Sequence, residues 1–598
     1  MAVGLPEVVL AAIFAYLLYR ETWGKKTALS DVAGPPRESW MKGNTQRLFR
    51  DALDYNLWLS RTYGTAVKMY SLYGRPALYL SDPLALHHVF VKDQNSFDVS
   101  DAFIHSNLLM FGEGLTGTLG EQHKKQRKML NPVFSVSNLR ELLPVIQPIA
   151  NKMASVFVEQ IPADGKAREI DVMPWLSRGA QEYMSQACFG WTFNALDLNK
   201  RNTYSEAARK YTPAALRVSW LRPYLPFIVR TIPLTLRTKM LDWYPGSDMK
   251  DFLYILDVMH QTSKRIFEQK KKALDSTVLE KADAETSERS EGDLGPVVQG
   301  KDIMSILLKA NASSNEADRM TDSEMIGQMS TLLFAGFETT TYAISRILWV
   351  LASHPDAQAR IRSEVKAAKN KYLEDGRSTA STWEDVSLSY DDLMALPYLD
   401  AVIKETLRVY PPSSVHFRVA LQNTTLPLQY PVKSVNDTPI TTIPVEKGTQ
   451  ILVSIIASNH NTNVWGPDAS EWKPERWLNS DDKAVPKATT DSAKYPGVYS
   501  GMMTFLGGPR GCIGFKFSEM EAKQVLATLL PRLHFALPSA VDEQGRRKEV
   551  YWMMSGPQIP VVRPPFGDGM TAQVPLDVRL VREEDFAYGF EDEDLIKL

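Results

Sequence analysis

Apolar positions along the chain fall into two long blocks, a scatter of short alternating runs and several polar gaps. Val8 to Tyr19 carries no charge, and counted from Ala2 the only blemish is Glu7. As a helix at ~1.5 Å per residue this block would be about 27 Å long, just short of a ~30 Å bilayer core. The second block, Thr321 to Ala352, opens on Thr321-Asp-Ser-Glu324, a capping-box pattern. It predicts a helix of about thirty residues that crosses the interior. Leu57 to Gly64 reads as an amphipathic helix ending at a glycine, and Leu396 to Pro412 as another, stopped by Pro411-Pro412. The alternating runs Val67–Leu72 and Pro76–Leu80 suggest a hairpin around Gly74, and similar strands recur near 426–432 and 450–456. The pattern is that of a mainly α protein with a small β-subdomain assembled from distant pieces, an α+β arrangement behind one N-terminal anchor helix.

Charge refines this outline. Arg20, Lys25 and Lys26 follow the first apolar block and no basic residue precedes it, which places the N-terminus across a membrane and the body in the cytosol. A cleaved signal peptide would carry its positive charge first. The expected organisation is an anchor over 1–20, a basic and proline-rich hinge over 21–36 containing Ala33-Gly-Pro-Pro36, a catalytic body over 37–582 and an acidic tail over 583–598. Lys270 to Lys301 and Leu373 to Ser389 are charged and poor in apolar residues, the composition of surface loops. Between Trp220 and Leu241, aromatic and aliphatic residues alternate with Arg222, Arg230, Arg237 and Lys239, while Pro223, Pro226 and Pro233 interrupt any long helix. Such a segment suits a lipid headgroup region; an ordinary core segment has the same composition. The 598 residues carry a net charge of −2, so nucleic acid is an unsuitable partner. Two cysteines, Cys188 and Cys512, cannot form a disulfide framework and fit a reducing compartment.

Chemistry concentrates in three stretches. Phe505-Leu-Gly-Gly-Pro-Arg-Gly-Cys-Ile-Gly514 surrounds Cys512 with glycines that allow the main chain to turn close to a metal-bound sulfur. A lone cysteine is more often a small buried hydrophobe. Ala335-Gly-Phe-Glu-Thr-Thr340 places an acid and two hydroxyls inside an apolar helix, which is costly unless they have a partner or a task. Gly336 there removes a side chain where a ligand could approach, and Thr339 can bond the carbonyl one turn back. Glu405 and Arg408, three apart, face the same way and could pair.

Together these residues resemble the cytochrome P-450 family. The cysteine loop fits F-x-x-G-x-R-x-C-x-G at Phe505, Gly508, Arg510, Cys512 and Gly514; the helix segment fits A/G-G-x-D/E-T-T; Glu405 to Arg408 fits E-x-x-R; and Pro474-Glu-Arg-Trp477 fits P-E-R-F/W. The resemblance spans roughly 33–581 and implies haem b with Cys512 as axial ligand to iron. It implies a catalytic pair in which Thr339 positions dioxygen and its water while Glu338 connects that water to bulk solvent. Glu405, Arg408 and Arg476 would form a buried structural triad. Arg418 and Arg510 are candidates for the haem propionates, as are Arg127 and His123, which stand where the family has W-x-x-x-R; Phe505 and Gly336 complete the cofactor-binding set.

The activity implied is insertion of one oxygen atom of O2 into a hydrophobic small molecule, with electrons from an NADPH-dependent flavoprotein reductase, at the endoplasmic reticulum membrane. Microsomal fungal members acting in specialised metabolism, for example on terpenoids, or in xenobiotic oxidation look most similar. A haem-thiolate isomerase or dehydratase working without O2, and a non-enzymatic haem-binding protein, are the alternatives. The Glu338-Thr339 pair argues against both.

Overall fold

Thr321 caps the long apolar block as its sequence predicts. Its side chain accepts the Glu324 backbone N–H and Glu324 returns the bond, closing a capping box on a 31-residue helix, Asp322–Ala352. In the computed structural model this helix is the centre of the fold. Residues 27–197, 203–243, 246–280, 302–478, 494–499, 501–554 and 556–586 are described. Ile347, Leu348 and Leu351 on the central helix are fully buried, each contributing about 1.5–3 kcal/mol relative to an exposed position. The helices Met173–Phe189, Ser247–Glu280, Pro397–Val409 and Phe515–Leu529 pack around it, and one continuous apolar core joins them.

The β-subdomain does gather distant pieces. Ala66–Tyr70 and Pro76–Leu80 form the expected antiparallel hairpin. Pro76–Leu80 then runs parallel to Gln450–Ser454, which pairs antiparallel with Val415–Ala420, and the two-residue strand Phe97–Asp98 closes the edge. Thr424–Lys433 leaves this sheet to pair with Pro439–Val445. A separate three-stranded sheet joins Arg168–Asp171, Pro575–Leu580 and Leu533–Ala536.

Three expectations need correction. Lys270 does not begin a loop: the helix Ser247–Glu280 continues through it. Strong helix formers fill that run, and Lys270 and Lys271 are tied to Asp302 and Asp322, both at 2.7 Å. The proline-rich hinge is docked rather than free over its described part. Leu29 and Val32 are buried, the Lys68 N–H donates to the Ala33 carbonyl at 3.0 Å, and Asn44 Nδ2 donates to the Pro36 carbonyl at 2.8 Å. The start of the acidic tail also belongs to the body. Asp585 accepts from Arg579 at 2.6 and 2.7 Å, and the Phe586 ring stands edge-on to Trp383. An opposite charge and an aromatic partner were waiting for residues that composition alone marks as solvated.

The anchor, 1–20, and the remainder of the tail lie outside the described residues. Among the described residues no helix is long and apolar enough to cross a membrane. The segment from Trp220 to Leu241 is broken at its prolines into Ser219–Tyr224, Leu225–Thr231 and Leu234–Trp243, and it leaves Trp220, Tyr224, Phe227 and Met240 exposed.

Candidate functional site

The loop before the helix Phe515–Leu529 folds back on its own backbone. A side chain at Gly507 would begin 1.5 Å from the Pro496 carbonyl oxygen, and Gly508, at φ +66°, would place one 2.1 Å from the Phe90 carbonyl oxygen. Only glycine permits either approach. The turn so formed presents Cys512, whose N–H donates to the Phe505 carbonyl at 2.8 Å, while the Gly514 N–H donates to the cysteine sulfur. Phe505 packs on Phe515 with ring centroids 6.0 Å apart.

Cys512 is open to a solvent-sized molecule and at the same time enclosed by protein atoms. A side chain both open and surrounded in this way faces into the protein rather than out to bulk solvent. Burial pushes the thiol up; the Gly514 N–H and the nearby Arg127 guanidinium pull in the opposite direction.

A second open strip lies on the central helix. Ala335 and Thr339, one turn apart, are exposed, whereas Phe337, Glu338 and Thr340 between and beside them are buried. Thr339 Oγ1 donates to the Ala335 carbonyl at 2.7 Å. The Leu115 backbone links this helix to the cysteine loop: its N–H donates to Gln328 Oε1 at 2.9 Å and its carbonyl accepts from Arg510 Nη1 at 3.5 Å. Gly336 does not open space for a ligand. A side chain there would begin 2.2 Å from Met184 Sδ, so the missing atoms serve close packing of the helix Met173–Phe189, and Ala335 is the small residue on the open strip. Glu338 points instead to the helix Thr203–Arg217, where its Oε1 accepts from Thr212 Oγ1 at 2.6 Å. Burial raises its pKa to about 7, against the opposing Thr212 bond.

Beside the cysteine loop the structure collects an excess of cations. The helix Gly120–Leu130 supplies Arg127, whose Nη1 donates to the Gly511 carbonyl at 2.6 Å. It also supplies buried His123, held neutral at a pKa of about 4 by burial and by Arg510 and Arg127. Arg510 donates to Asp98 at 3.2 Å and to the Thr118 carbonyl at 2.9 Å. Arg418 lies over the Phe90 ring at 4.9 Å, and burial pushes its guanidinium down to about 10 despite Asp98 nearby. Three guanidiniums thus gather around the loop with one carboxylate, Asp98, which lies by Arg510 and Arg418, and an excess of two positive charges suits a cofactor with two carboxylates. The residues fit haem b on three independent counts: an enclosed sulfur with N–H donors, an open strip within the interior, and the unbalanced cations.

Glu405, Arg408 and Arg476 meet, as their motifs suggest. Arg408 and Glu405 are fully buried and form a two-pronged pair at 2.7 and 2.8 Å. Arg476 Nε adds a bond at 3.2 Å, the Lys473 N–H one at 2.9 Å and Trp477 Nε1 one at 2.9 Å. Sequence reasoning missed Thr212, Asp98 and Met184, which lie far along the chain in segments without a motif. Trp477, inside a recognised motif, could have been read as a donor.

The family model described as "Cytochrome P450" matches residues 33–559. Cytochrome P450 monooxygenase 219 of Postia placenta is 40% identical over 557 residues, 93% of this chain and 94% of the relative. Cytochrome P450 monooxygenase 91 of the same organism is 41% identical over 535 residues, 89% of this chain and 91% of the relative. A ganoderic acid synthetase of Ganoderma lucidum is 34% identical over 559 residues, 93% of this chain and 95% of the relative.

Proposed function

The chain belongs to the cytochrome P450 family of oxidoreductases, and from that premise we propose that it hydroxylates, or similarly oxidises, a hydrophobic small molecule of fungal specialised metabolism. The observation that carries this reading is the pairing of two inward-facing groups, the Cys512 sulfur and the Ala335–Thr339 strip, inside one core. Haem b held by Cys512 would supply dioxygen reduction: one oxygen atom enters a substrate C–H bond as hydroxyl, the other leaves as water, and two electrons and two protons are consumed.

The residues of this chain then divide the remaining work. Cys512 would hold the iron, with the Gly514 N–H bonded to its sulfur and Arg127 fixing the loop through the Gly511 carbonyl. Arg127, Arg418 and Arg510 would neutralise the propionates, and neutral His123 would add an N–H donor to them. Thr339 keeps its own proton on the Ala335 carbonyl, which leaves its oxygen lone pairs free to hold a water in the chamber. Glu338, with a pKa near 7, can take or release a proton at Oε1 where Thr212 donates. Glu405, Arg408 and Arg476 hold the proximal side rigid. We assign the catalytic body to 37–582, the electrons to an NADPH-dependent flavoprotein reductase, and the location to the cytosolic face of the endoplasmic reticulum, with 1–20 as anchor. The ganoderic acid synthetase likeness supports the specialised-metabolism assignment.

The deciding experiment is a carbon monoxide difference spectrum of the reduced protein, expected to show a thiolate band near ~450 nm. Its absence refutes the assignment of Cys512. In the same preparation Thr339→Ala should keep the band but divert most consumed NADPH to reduced oxygen species. Tight coupling in that variant refutes the role given to Thr339.

A further inference from the structure

One contact beside the open strip joins an ill-matched donor and acceptor. Tyr211, on the helix Thr203–Arg217, is only 5% exposed, and its hydroxyl donates to the thioether sulfur of Met110 on the helix Asp101–Phe111. Among the described residues that sulfur is its only hydrogen-bond partner. A thioether is a weak acceptor, so the buried phenol is poorly satisfied, a condition that costs free energy. One oxygen added to the sulfur would remove the mismatch, because a sulfoxide presents a strongly polar acceptor in its place.

Position supplies both access and an oxidant. Met110 is half-buried and the preceding Leu108 and Leu109 are exposed, so small solutes can reach it. On the inner side Phe111 and Tyr211 both pack on Phe334, with ring centroids 4.9 and 4.6 Å away, and Phe334 precedes Ala335 on the open strip. Met110 therefore stands one ring away from the strip over which dioxygen would be reduced. Met184, which fills the space at Gly336, is also beside that strip but closed off, at 3% exposed.

We propose that Met110 is a site of reversible oxidation by the hydrogen peroxide that forms when turnover runs without substrate. The inference rests on the monooxygenase reading above for the source of the oxidant. With no C–H bond in place, dioxygen takes two electrons from the reductase and two protons from water and leaves as hydrogen peroxide. The Met110 sulfur then gives an electron pair to one peroxide oxygen. The S–O bond forms, the O–O bond breaks, and the second oxygen departs as water with both protons, a departure that the Tyr211 O–H assists by hydrogen bonding. The sulfoxide oxygen accepts that O–H afterwards, which stabilises the product and inserts an atom between the two helices. Thr212, the next residue, donates to Glu338, so the change reaches the proton-exchanging carboxyl and slows uncoupled turnover until a methionine sulfoxide reductase removes the oxygen.

Peptide mass spectrometry of the haem-loaded full chain reads the sulfoxide at Met110 against two internal references, Met570, which is 71% exposed, and the buried Met184. In dilute hydrogen peroxide Met110 should oxidise at least as fast as Met570, with Met184 silent. Tyr211→Phe should slow Met110 about fivefold, the worth of one hydrogen bond, and leave Met570 unchanged. With reductase and NADPH, no substrate, and catalase to destroy free peroxide, Met110 should still oxidise and Met570 should not. A Met110 rate like that of Met184, or one indifferent to Tyr211→Phe, overturns the proposal; so does oxidation of both Met110 and Met570, or of neither, under catalase. If Tyr211→Phe misfolds, which a reactive Met184 would reveal, the wild-type comparisons still decide. The carbon monoxide band separates the two claims: its absence refutes the haem-thiolate assignment, and the reaction with added peroxide still decides for or against Met110.

Discussion

Replacing Glu405 by glutamine removes one charge from a site closed to bulk solvent. The carboxylate is fully buried and accepts five bonds: two from Arg408, one each from Arg476 and Trp477, and one from the Lys473 backbone. Glutamine keeps one acceptor oxygen and turns an NH2 group toward donors that need an acceptor. Arg408, also fully buried, loses its ionic partner and keeps at most one bond to residue 405 beside the Asn459, Ala469 and Glu471 carbonyls, at 2.9, 2.6 and 3.0 Å. Stranding one member of a buried ion pair costs about 3–5 kcal/mol, a large part of the ~5–15 kcal/mol that holds a typical protein folded. Urea unfolding followed by both tryptophan fluorescence and haem absorbance measures the loss, coincident transitions licensing the analysis. Arg408→Met should cost a similar amount, because it strips two of the five bonds from the buried carboxylate and takes the Arg408 donor from three carbonyls. The double variant should then lose at least ~1 kcal/mol less than the two single losses together. A loss below ~1 kcal/mol for Glu405→Gln, or strict additivity, would refute the idea that these charges are mutually dependent.

Two further outcomes follow from the site. With its pKa raised from 4.5 to about 7, folded Glu338 keeps a proton that the unfolded chain releases. Stability therefore falls as pH rises between those values and levels off above. The difference between wild type and Glu338→Gln should change across that window by an amount on the order of 3 kcal/mol, at 1.36 kcal/mol per unit, as read by denaturant unfolding at successive pH values. A flat difference removes Glu338 from any proton exchange near neutrality. In the cysteine loop, Gly507→Ala, whose new atom meets a backbone oxygen at 1.5 Å, should abolish the 450 nm band. Gly514→Ala, with its nearest neighbour 4.0 Å away at Phe134 Cε1, should change stability by less than ~1 kcal/mol; the reverse order would contradict the loop geometry.

What the sequence revealed divides along a physical line. Local chemistry was legible: the Thr321 capping box, the Gly64 stop, the hairpin around Gly74 and the loop holding Cys512 are set by residues within a few positions of one another. Partnerships across the chain were not. Nothing around Asp98 announces that it meets Arg510, and nothing near Thr212 marks it as the partner of Glu338. Gly336 shows the ambiguity at one residue, since a missing side chain looks the same in sequence whether a cofactor or Met184 fills the space. Composition misled at Lys270 and Asp585 because each charge had a specific partner that averages over a window cannot contain.

The sheet that gathers distant strands also sets a timetable. Pro76–Leu80 finds its parallel partner only in Gln450–Ser454, and Arg168–Asp171 finds its antiparallel partner only in Pro575–Leu580. At ~5–20 residues per second of synthesis, the first hairpin would leave the ribosome roughly 20–70 s before the strand that covers its edge. An open strand edge is a template for pairing with other chains. During that interval the nascent protein must be shielded or held loosely structured, and its yield in a heterologous host should depend on translation speed and chaperone supply as much as on the stability of the finished fold.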